Sequence, residues 1–492
     1  MVFPVVGGDG KPTGYEIENS LRLTDNAYLN ITRSSQSNTT GTFSAWIKTA
    51  AQNSFQLAGG HTDVNNRSYI YFPSSGGGFS GGLFSRTSGS LDTNFNTNAV
   101  YRDPSAWYHL VVAFDTTQST ESNRVKWYVN GEQITSFSAS TYPSQNASIP
   151  ILNKATQTIG AGYGASSISV WSDGYMAEVY YIDGTQYAAS DFGETNDNGV
   201  WIPKDASGDL TFGTNGFYLE FKQTGTSQNS SGIGADTSGN DNHLAVNGLA
   251  ATDVTTDTPT NNFCTLNPVA VSRFDNDGVY SEGNTKITST SSDNDRFYSV
   301  ATMGVTSGKW YWEIKVPTAS KVETGVGILT EIMGTSQHYN NETSPNIISV
   351  NAGGNIYGKG GADYDDHVNW AADLSDNDII MWALDMDNYE LWYGINGTWQ
   401  DSGDPTSGAT GTGGIINETS NAYRTKLNHG DFIHPWVSDL ATSGQTAYEI
   451  NFGNPPFSIS SGNSDANGYG NFEYAVPSGY YAICTKNLAE YG

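Results

Sequence analysis

The stretch 125–131, VKWYVNG, indicates the fold class, because it combines the residue pattern of a strand with a turn signal at its end. Every second residue from Val125 to Val129 is apolar, which is the period of a strand with one buried face. Asn130-Gly131 follows, and this dipeptide suits the two positive-φ positions of a type I′ turn. The stretch therefore predicts an antiparallel β-hairpin.

Similar short strands recur along the whole sequence. The second half repeats the pattern in 390–395 (ELWYGI), which runs into Asn396-Gly397, and further apolar or alternating runs occupy 42–48 and 107–114. No stripe of helical period extends beyond two turns. Many short strands separated by turn residues predict an all-β chain of antiparallel β-sandwiches, not an α/β fold.

The composition restricts the class of function. The chain has 492 residues, so two or more domains are expected. Its formal net charge of −28 argues against a nucleic-acid partner, because phosphate would be repelled. Aromatic residues make up 12% of the chain, and this fraction is too high for a disordered protein. Only 15% of the residues are charged. Neutral Ser, Thr, Asn and Gly must therefore supply much of the polar surface.

No segment of the sequence predicts export or membrane insertion. The longest apolar runs, such as 379–384, have the length of a strand and are too short to cross a bilayer. Residues 1–8 lack the basic region of a signal peptide. Cys264 and Cys484 form neither a disulfide framework nor a metal motif. We therefore expect the protein to be made in a cytoplasm and not exported. A surface rich in Ser, Thr, Asn and Gly is nevertheless typical of an adhesin. A virus particle made in a host cytoplasm and released by lysis would account for both observations.

A polar region near the middle of the chain predicts the domain boundary. Residues 223–262 are poor in aromatic residues and rich in Ser, Thr, Gly, Asp and Asn. We therefore predict four regions, with one further strand expected within the third, near 242–246. They are an N-terminal docking arm (1–14), a first sandwich (15–222), a polar connector (223–265) and a second sandwich (266–492).

Each predicted sandwich resembles a known family. Residues 15–222 resemble a laminin G-like, concanavalin A-type jelly roll through the phrases 19–23 (NSLRL), 42–47 (TFSAWI), 107–111 (WYHLV), 126–131 (KWYVNG) and 174–184 (GYMAEVYYIDG). Residues 266–492 resemble a SPRY domain through 307–314 (SGKWYWEI), 325–328 (GVGI), 378–385 (DIIMWALD), 434–437 (HPWV) and 451–453 (NFG). The resemblances imply two jelly rolls, concanavalin A/laminin G-like and then SPRY-like, that bind a partner through loops.

The connector phrase 257–268 (DTPTNNFCTLNP) is similar to connectors in virion and tail-fibre-like proteins of tailed bacteriophages, including marine ones. This resemblance implies a non-enzymatic virion protein, a tail-fibre or adhesin component. Its implied partners are other virion proteins and a host-surface glycan or receptor, and we expect a homo-oligomer, with a trimer as one arrangement. The alternatives are a capsid fibre or head decoration protein and, third, a polysaccharide hydrolase.

Candidate ligand contacts come from polar loop segments that also carry a ring. Glycan recognition places aromatic faces against the apolar side of a sugar and polar groups against its hydroxyls. On this basis we expect contacts from His61, Asp63, Asn65, Tyr339, Asn341, Tyr364, Asp365, Asp366, His367 and Trp370. The tryptophans within strands are expected in the sandwich cores instead.

The sequence offers no evident catalytic constellation. Glu16 and Glu18 would share one face of a strand, but no third acid accompanies them as in glycoside hydrolases with this fold, so we expect no enzyme. Asp275 and Asp277 resemble the start of a calcium loop, yet its position 12 is Lys286, where a bidentate Glu is needed. We expect no cofactor, with calcium at Asp275 and Asp277 as the alternative.

Overall fold

The fold is taken from a computed structural model of the chain. The structure describes residues 14–24, 26–33, 39–50, 55–72, 80–153, 156–270, 278–289, 297–319, 322–329, 332, 347–358, 370–418, 424–428, 430–439 and 446–492. These residues divide into two compact units, one ending at Thr260 and the other beginning at Asn261. Strands dominate both units and pair almost entirely in antiparallel fashion, which confirms the predicted all-β fold of two sandwiches.

The first unit is built from short strands with few helical turns. Its strands are β1 Ser20–Leu23, β2 Tyr28–Thr32, β3 Thr40–Thr49, β4 Phe55–Asp63, β5 Asn66–Phe72, β6 Gly82–Thr87, β7 Ser90–Thr97, β8 Tyr108–Asp115, β9 Val125–Val129, β10 Glu132–Ile134, β11 Phe137–Thr141, β12 Thr156–Ile159, β13 Ala161–Tyr163, β14 Ile168–Trp171, β15 Gly174–Asp183, β16 Gly193–Thr195, β17 Trp201–Pro203, β18 Phe217–Leu219, β19 Ala245–Asn247 and β20 Val254–Thr255. The helical turns are α1 Pro150–Asn153 and the 3₁₀ turns Glu121–Asn123, Ala189–Asp191 and Ala251–Asp253.

Two large sheets of these strands face each other. Sheet 1 has the order β10-β9-β8-β3-β15-β1-β20, with β18 beside β15, and sheet 2 has the order β11-β7-β6-β5-β4-β12-β2-β19. Their inner faces bury one apolar cluster, to which sheet 1 contributes Phe43 and Leu110 and sheet 2 contributes Phe55 and Leu83. Burying such side chains drives the two sheets together.

The polar segment 223–265 belongs largely to the first unit. β19 pairs with β2 at one edge of sheet 2, and β20 pairs with β1 at one edge of sheet 1. The strand expected near 242–246 is therefore present as β19. The first unit extends to Thr260, beyond the predicted limit at residue 222. A short edge strand is held mainly by backbone hydrogen bonds, so a segment poor in apolar residues can still extend a sheet. Residues 1–13 of the predicted arm lie outside the described residues.

The second unit repeats this construction. Its strands are β21 Gly278–Ser281, β22 Lys286–Ser289, β23 Phe297–Val300, β24 Lys309–Thr318, β25 Val322–Ile328, β26 Ile347–Asn351, β27 Ile356–Gly358, β28 Asp378–Asp385, β29 Glu390–Ile395, β30 Thr398–Trp399, β31 Ile433–Asp439, β32 Ala447–Asn451 and β33 Tyr481–Ala482. The helices are α2 Ile415–Glu418, α3 Arg424–Leu427 and α4 Thr485–Tyr491, with 3₁₀ turns at Gln400–Ser402 and Pro405–Thr410. One sheet has the order β21-β22-β32-β24-β28-β29-β30, with β33 parallel to β24, and the other has the order β23-β31-β25-β26-β27.

Tryptophans fill the interior of both units, as predicted. Trp310, Trp312, Trp382 and Trp392 are each 0% exposed, and the centroids of the Trp312 and Trp382 rings lie 6.1 Å apart. In the first unit, Trp46 and Trp127 are also buried. Trp107 departs from the prediction, since it precedes β8 and is only partly buried.

Both predicted hairpin turns are confirmed. Asn130 and Gly131 connect β9 to β10 with φ of 48° and 83°, and Asn396 and Gly397 connect β29 to β30 with φ of 49° and 82°. Positive φ at both central positions defines the type I′ turn. No helix among the described residues is long and apolar enough to span a membrane.

Candidate functional site

The outer surface of sheet 2 carries aromatic side chains. Along β5, Ile70 and Phe72 belong to the core, so Tyr69 and Tyr71 project from the opposite side of the sheet. Tyr69 lies opposite Phe84 of β6. All three outward-facing rings are half-buried, so each keeps part of its surface in contact with solvent.

Two of these rings are stacked across β5 and β6, and the third lies over a glycine of β6. The rings of Tyr69 and Phe84 are stacked, with centroids 5.7 Å apart and an interplanar angle of 13°. Tyr71 lies opposite Gly82, and a Cβ atom on Gly82 would come within 2.8 Å of Cε1 of Tyr71. The missing side chain at position 82 therefore makes room for the Tyr71 ring.

Two arginines border the rings. The guanidinium carbon of Arg67 lies 5.5 Å from the centroid of Tyr69, and that of Arg86 lies 5.7 Å from the centroid of Phe84, distances typical of cation–π contacts. Arg67 Nη1 donates to the carbonyl oxygen of Tyr163 at 2.6 Å, and the Tyr69 hydroxyl donates to the same oxygen. Burial raises the pKa of Tyr69 to about 12, so this hydroxyl stays protonated.

Polar amides lie beside the rings. Asn94 of β7 lies opposite Phe84, and Asn96 lies opposite Gly82. Both are half-buried, and their side-chain amides have no hydrogen-bond partner among the described residues. Each amide offers an acceptor oxygen and two N–H donors. We call this combination of rings, guanidinium groups and amides the aromatic face, and it comprises Arg67, Tyr69, Tyr71, Phe84, Arg86, Asn94 and Asn96.

Three of the sequence-predicted residues lie at the edge of the aromatic face. His61 lies opposite Arg67 and is 7% exposed, with its ring centroid 4.5 Å from that of Tyr163. Burial lowers the pKa of His61. Asp63 Oδ1 accepts a hydrogen bond from the Asn65 backbone N–H at 2.8 Å. Asp63 thus supports the β4–β5 turn, and Asn65 is exposed at its tip, whereas His61 packs against Tyr163.

The other predicted residues belong to the second unit. Trp370 is partly buried, with its ring centroid 6.4 Å from that of the buried Tyr393. The remaining candidates lie outside the described residues; they are Tyr339, Asn341, Tyr364, Asp365, Asp366 and His367, together with the calcium candidates Asp275 and Asp277. Within the described part of the chain, no group of three or more His, Cys, Asp or Glu residues is arranged to hold a metal ion.

The aromatic face was not predicted from the sequence, although a signal exists. In 67–72, RSYIYF, Arg67, Tyr69 and Tyr71 occupy every second position. The residues between them, on the other face of the strand, include Ile70 and Phe72, which are as hydrophobic as the two tyrosines. Periodicity alone therefore does not reveal which set faces outward.

The acidic pair considered for hydrolysis does not form the expected arrangement. Glu16 and Glu18 precede β1, so they do not share the face of a strand, and both are exposed. The prediction that they lie on the first strand was wrong. The physical reason is that β1 begins only at Ser20, while the backbone of the buried Ile17, between the two acids, is hydrogen-bonded to the Thr260 hydroxyl.

A different carboxyl group is embedded in sheet 1. Glu178 lies at an irregularity in the pairing of β15 with β3, with φ of 51°, and is 4% exposed. The hydroxyls of Tyr180 and Tyr218 donate to its Oε2 at 2.7 and 2.5 Å. Burial raises the pKa of Glu178 to about 7. This group is enclosed by its tyrosines, and therefore we assign it to the packing of the sandwich.

Comparisons with known proteins agree with this architecture. A laminin G model, described as the concanavalin A-like lectin/glucanases superfamily, matches residues 23–183. No match is found among curated protein sequences.

Similar solved structures include the SPRY domain of human HERC1, at 18% identity and a TM-score of 0.24, covering 35% of this chain and 91% of that one. They include a heptameric pentraxin from Limulus polyphemus, at 14% identity and a TM-score of 0.28, covering 35% and 80%. A third is the CBM40 module of a Ruminococcus gnavus sialidase, solved with sialyllactose, at 16% identity and a TM-score of 0.22, covering 30% and 85%. These low TM-scores carry no weight for function. The family match and the sheet order make the first sandwich a concanavalin A-like jelly roll.

Proposed function

We propose that this chain is a non-enzymatic glycan-binding protein and that the aromatic face is its binding surface. The observation that carries the proposal is the stacked pair Tyr69 and Phe84 with the unpartnered amide of Asn94 beside it. A sugar ring has apolar C–H faces and polar hydroxyl edges. Aromatic rings cover the former, and amides and guanidinium groups hydrogen-bond to the latter.

In the wider setting we propose that the protein is an adhesin or tail-fibre component of a bacteriophage particle. The support is the similarity of 257–268 to phage connectors, together with two sandwiches suited to binding. Its partners would be other virion proteins and a host-surface glycan.

Immunogold labelling of purified particles tests the proposed place in the virion. Label on the tail supports it, label on the head favours a decoration protein, and unlabelled particles contradict a virion role.

Binding is tested by affinity electrophoresis of the full chain in gels containing defined polysaccharides such as mannan, xylan and laminarin. We expect at least one polysaccharide to retard the wild type. The double variant Tyr69→Ala/Phe84→Ala should weaken this binding roughly 30-fold, because each ring contributes about 1 kcal/mol of contact energy. Asn94→Ala should weaken it by a smaller factor, since it removes one hydrogen-bonding group.

The matched control is Tyr491→Ala. It also breaks a stacked ring pair, with Tyr481 at a centroid distance of 3.9 Å, but in the second unit. Retardation of this variant should equal that of the wild type. Equal retardation of the Tyr69/Phe84 variant, or no retardation of the wild type in any gel, would contradict the proposal. Release of reducing ends from a retarding polysaccharide would contradict its non-enzymatic part.

A further inference from the structure

A second polar feature of the first unit surrounds Arg33, the residue that follows β2. Its side chain is 8% exposed although it is a cation. The guanidinium carbon lies 5.1 Å from the ring centroid of Tyr181 and 5.2 Å from that of Phe217. Aromatic rings therefore occupy its surroundings, and a guanidinium group packed against rings keeps its in-plane N–H groups for hydrogen bonding.

Those N–H groups are unsatisfied. Arg33 Nε, Nη1 and Nη2 are all buried, and among the described residues none of them has a hydrogen-bond partner. Burial lowers the pKa of Arg33 to about 10, so the group is still a cation at neutral pH. A buried cation without hydrogen bonds is costly, and native proteins seldom retain one without a reason.

The two carboxylates that act on Arg33 by charge form their hydrogen bonds with other groups. Asp183 and Asp236 act on Arg33 by charge, but Asp183 Oδ2 accepts a hydrogen bond from Asn215 Nδ2 at 2.8 Å. Asp236 Oδ1 accepts from the backbone N–H of Tyr218 at 2.9 Å. These two acids moderate the charge without supplying the missing hydrogen bonds.

A surface pocket of about 430 Å³ adjoins this group, and its lining residues are Ile31, Thr32, Arg33, Asn215 and Asn242. Asn215 uses its Nδ2 on Asp183, and Asn242 donates its Nδ2 to the carbonyl oxygen of Gly216 at 2.9 Å. The Oδ1 atoms of both asparagines have no hydrogen-bond partner among the described residues. The residues that line the pocket thus include two asparagines with an unused acceptor oxygen and an arginine whose N–H groups are unsatisfied and covered by the protein.

We propose that this pocket binds a hydroxy-carboxylate, with the carboxylate paired to the Arg33 guanidinium and the hydroxyls donating to Oδ1 of Asn215 and Asn242. The edge of a guanidinium group matches a carboxylate with two parallel hydrogen bonds. Binding requires the guanidinium edge, which the protein covers, to turn toward the pocket. The ligand is either a uronic acid unit of a polysaccharide or a free hydroxy acid, because both present the same groups.

The test uses the full chain and isothermal titration calorimetry with defined probes. D-glucuronate represents the sugar acid and D-gluconate the open-chain hydroxy acid. Acetate supplies the carboxylate alone, and D-glucose supplies hydroxyls without a carboxylate. We expect glucuronate or gluconate to bind, acetate to bind at least tenfold more weakly, and glucose not to bind. Preference for glucuronate identifies a sugar acid, and preference for gluconate a free hydroxy acid.

Arg33→Met should abolish binding of the preferred probe, with an affinity loss of at least 100-fold. The variant should still fold, because it removes a buried unpaired charge and keeps an unbranched side chain against the two rings. Its melting temperature without probe should equal or exceed that of the wild type. Arg102→Met is the control: it removes an exposed arginine of the first unit that belongs to neither candidate site, and it should bind the probe normally.

Equal probe binding by Arg33→Met and the wild type would overturn the proposal, as would the absence of any heat signal at 10 mM glucuronate or gluconate. A lower melting temperature of Arg33→Met, combined with no probe binding by the wild type, would show that Arg33 serves packing alone. A failure of this proposal is distinguishable from a failure of the glycan-binding proposal, because Tyr69→Ala/Phe84→Ala tests the aromatic face separately.

Discussion

Replacing Lys48 by methionine is expected to destabilise the first unit by about 3–5 kcal/mol. Lys48 Nζ lies 2.8 Å from Asp257 Oδ2, and both side chains are 0% exposed. Asp257 also accepts a hydrogen bond from Trp107 Nε1 at 3.2 Å. Removing the cation leaves a carboxylate that is shielded from water and no longer neutralised, which is far more costly than the loss of a surface pair.

The double variant Lys48→Met/Asp257→Leu distinguishes the loss of the ion pair from the cost of leaving the Asp257 carboxylate buried without a cation. Because two apolar side chains can replace a buried ion pair at little cost, this variant should recover most of the lost stability. Lys222→Met is the matched control. Its pair with Glu220 is partly exposed, with 46% of the Lys222 side chain accessible, and its loss should cost less than about 1 kcal/mol.

The measurement is urea unfolding of the full chain, followed by far-UV circular dichroism and Trp fluorescence. Two units predict two transitions, so each is fitted separately. The transition of the first unit should move in Lys48→Met while that of the second stays in place. A shift as small as that of Lys222→Met would show that the Lys48–Asp257 pair contributes no more than a surface contact.

The second large expectation is that Glu323 makes the second unit less stable as the pH rises from about 4.5 to above 7. Glu323 is 1% exposed, and its carboxyl oxygens accept from the hydroxyls of Ser349 at 2.5 Å and Ser438 at 3.4 Å. Burial raises the pKa of Glu323 from 4.5 to about 7. As the pH rises, Glu323 ionises in the unfolded chain at a lower pH than in the folded chain. Its contribution to the free energy of unfolding is therefore fully present below pH 4.5 and is lost as the pH rises through 7.

The same reasoning applies to Glu178 in the first unit, whose pKa burial also raises to about 7. The loss at pH 8 should be about 3 kcal/mol for each group. Glu323→Gln and Glu178→Gln cannot ionise, so each should raise the melting temperature of its unit at pH 8 relative to wild type and have a smaller effect at pH 5.

Two buried histidines act in the opposite direction and lower the stability of the folded chain at acid pH. Burial lowers the pKa of His109 to about 3 and that of His434 to about 4. Their contribution is present above pH 6.5 and is lost as the pH falls through these values. The measurement is differential scanning calorimetry at pH 5 and pH 8. Because the histidines are the same in both proteins, the quantity compared is the difference in melting temperature between each Gln variant and the wild type. An identical difference at both pH values would refute the assignment of the raised pKa.

Glu473→Gln is the control for this series. Hydrogen bonds from Ser460 lower the pKa of Glu473, and its carboxyl group is little buried. Its pH dependence is therefore opposite to that of Glu323 and Glu178: its contribution to stability is present above about pH 4.5 and is lost below that pH. Solvent screening keeps this contribution small. Between pH 5 and pH 8 this variant should show no change in its difference from wild type.

Local sequence patterns predicted the strands, the two type I′ turns and the tryptophan cores. These features depend on neighbouring residues: the alternation in 125–129, the freedom of Asn130-Gly131 to adopt positive φ, and the need to bury a Trp side chain. Two sandwiches follow from these local signals together with the length of the chain.

The limits of the first unit and its candidate sites depend on tertiary contacts. Asp257 meets Lys48 across 209 positions of sequence, so the polar segment before Thr260 joins the first sandwich through a contact that no local pattern contains. Likewise, Tyr69 becomes a neighbour of Phe84, and Arg33 of Phe217, only when strands pair and sheets pack. Which face of a strand is buried depends on that packing, and therefore the aromatic face could be recognised only in the folded chain.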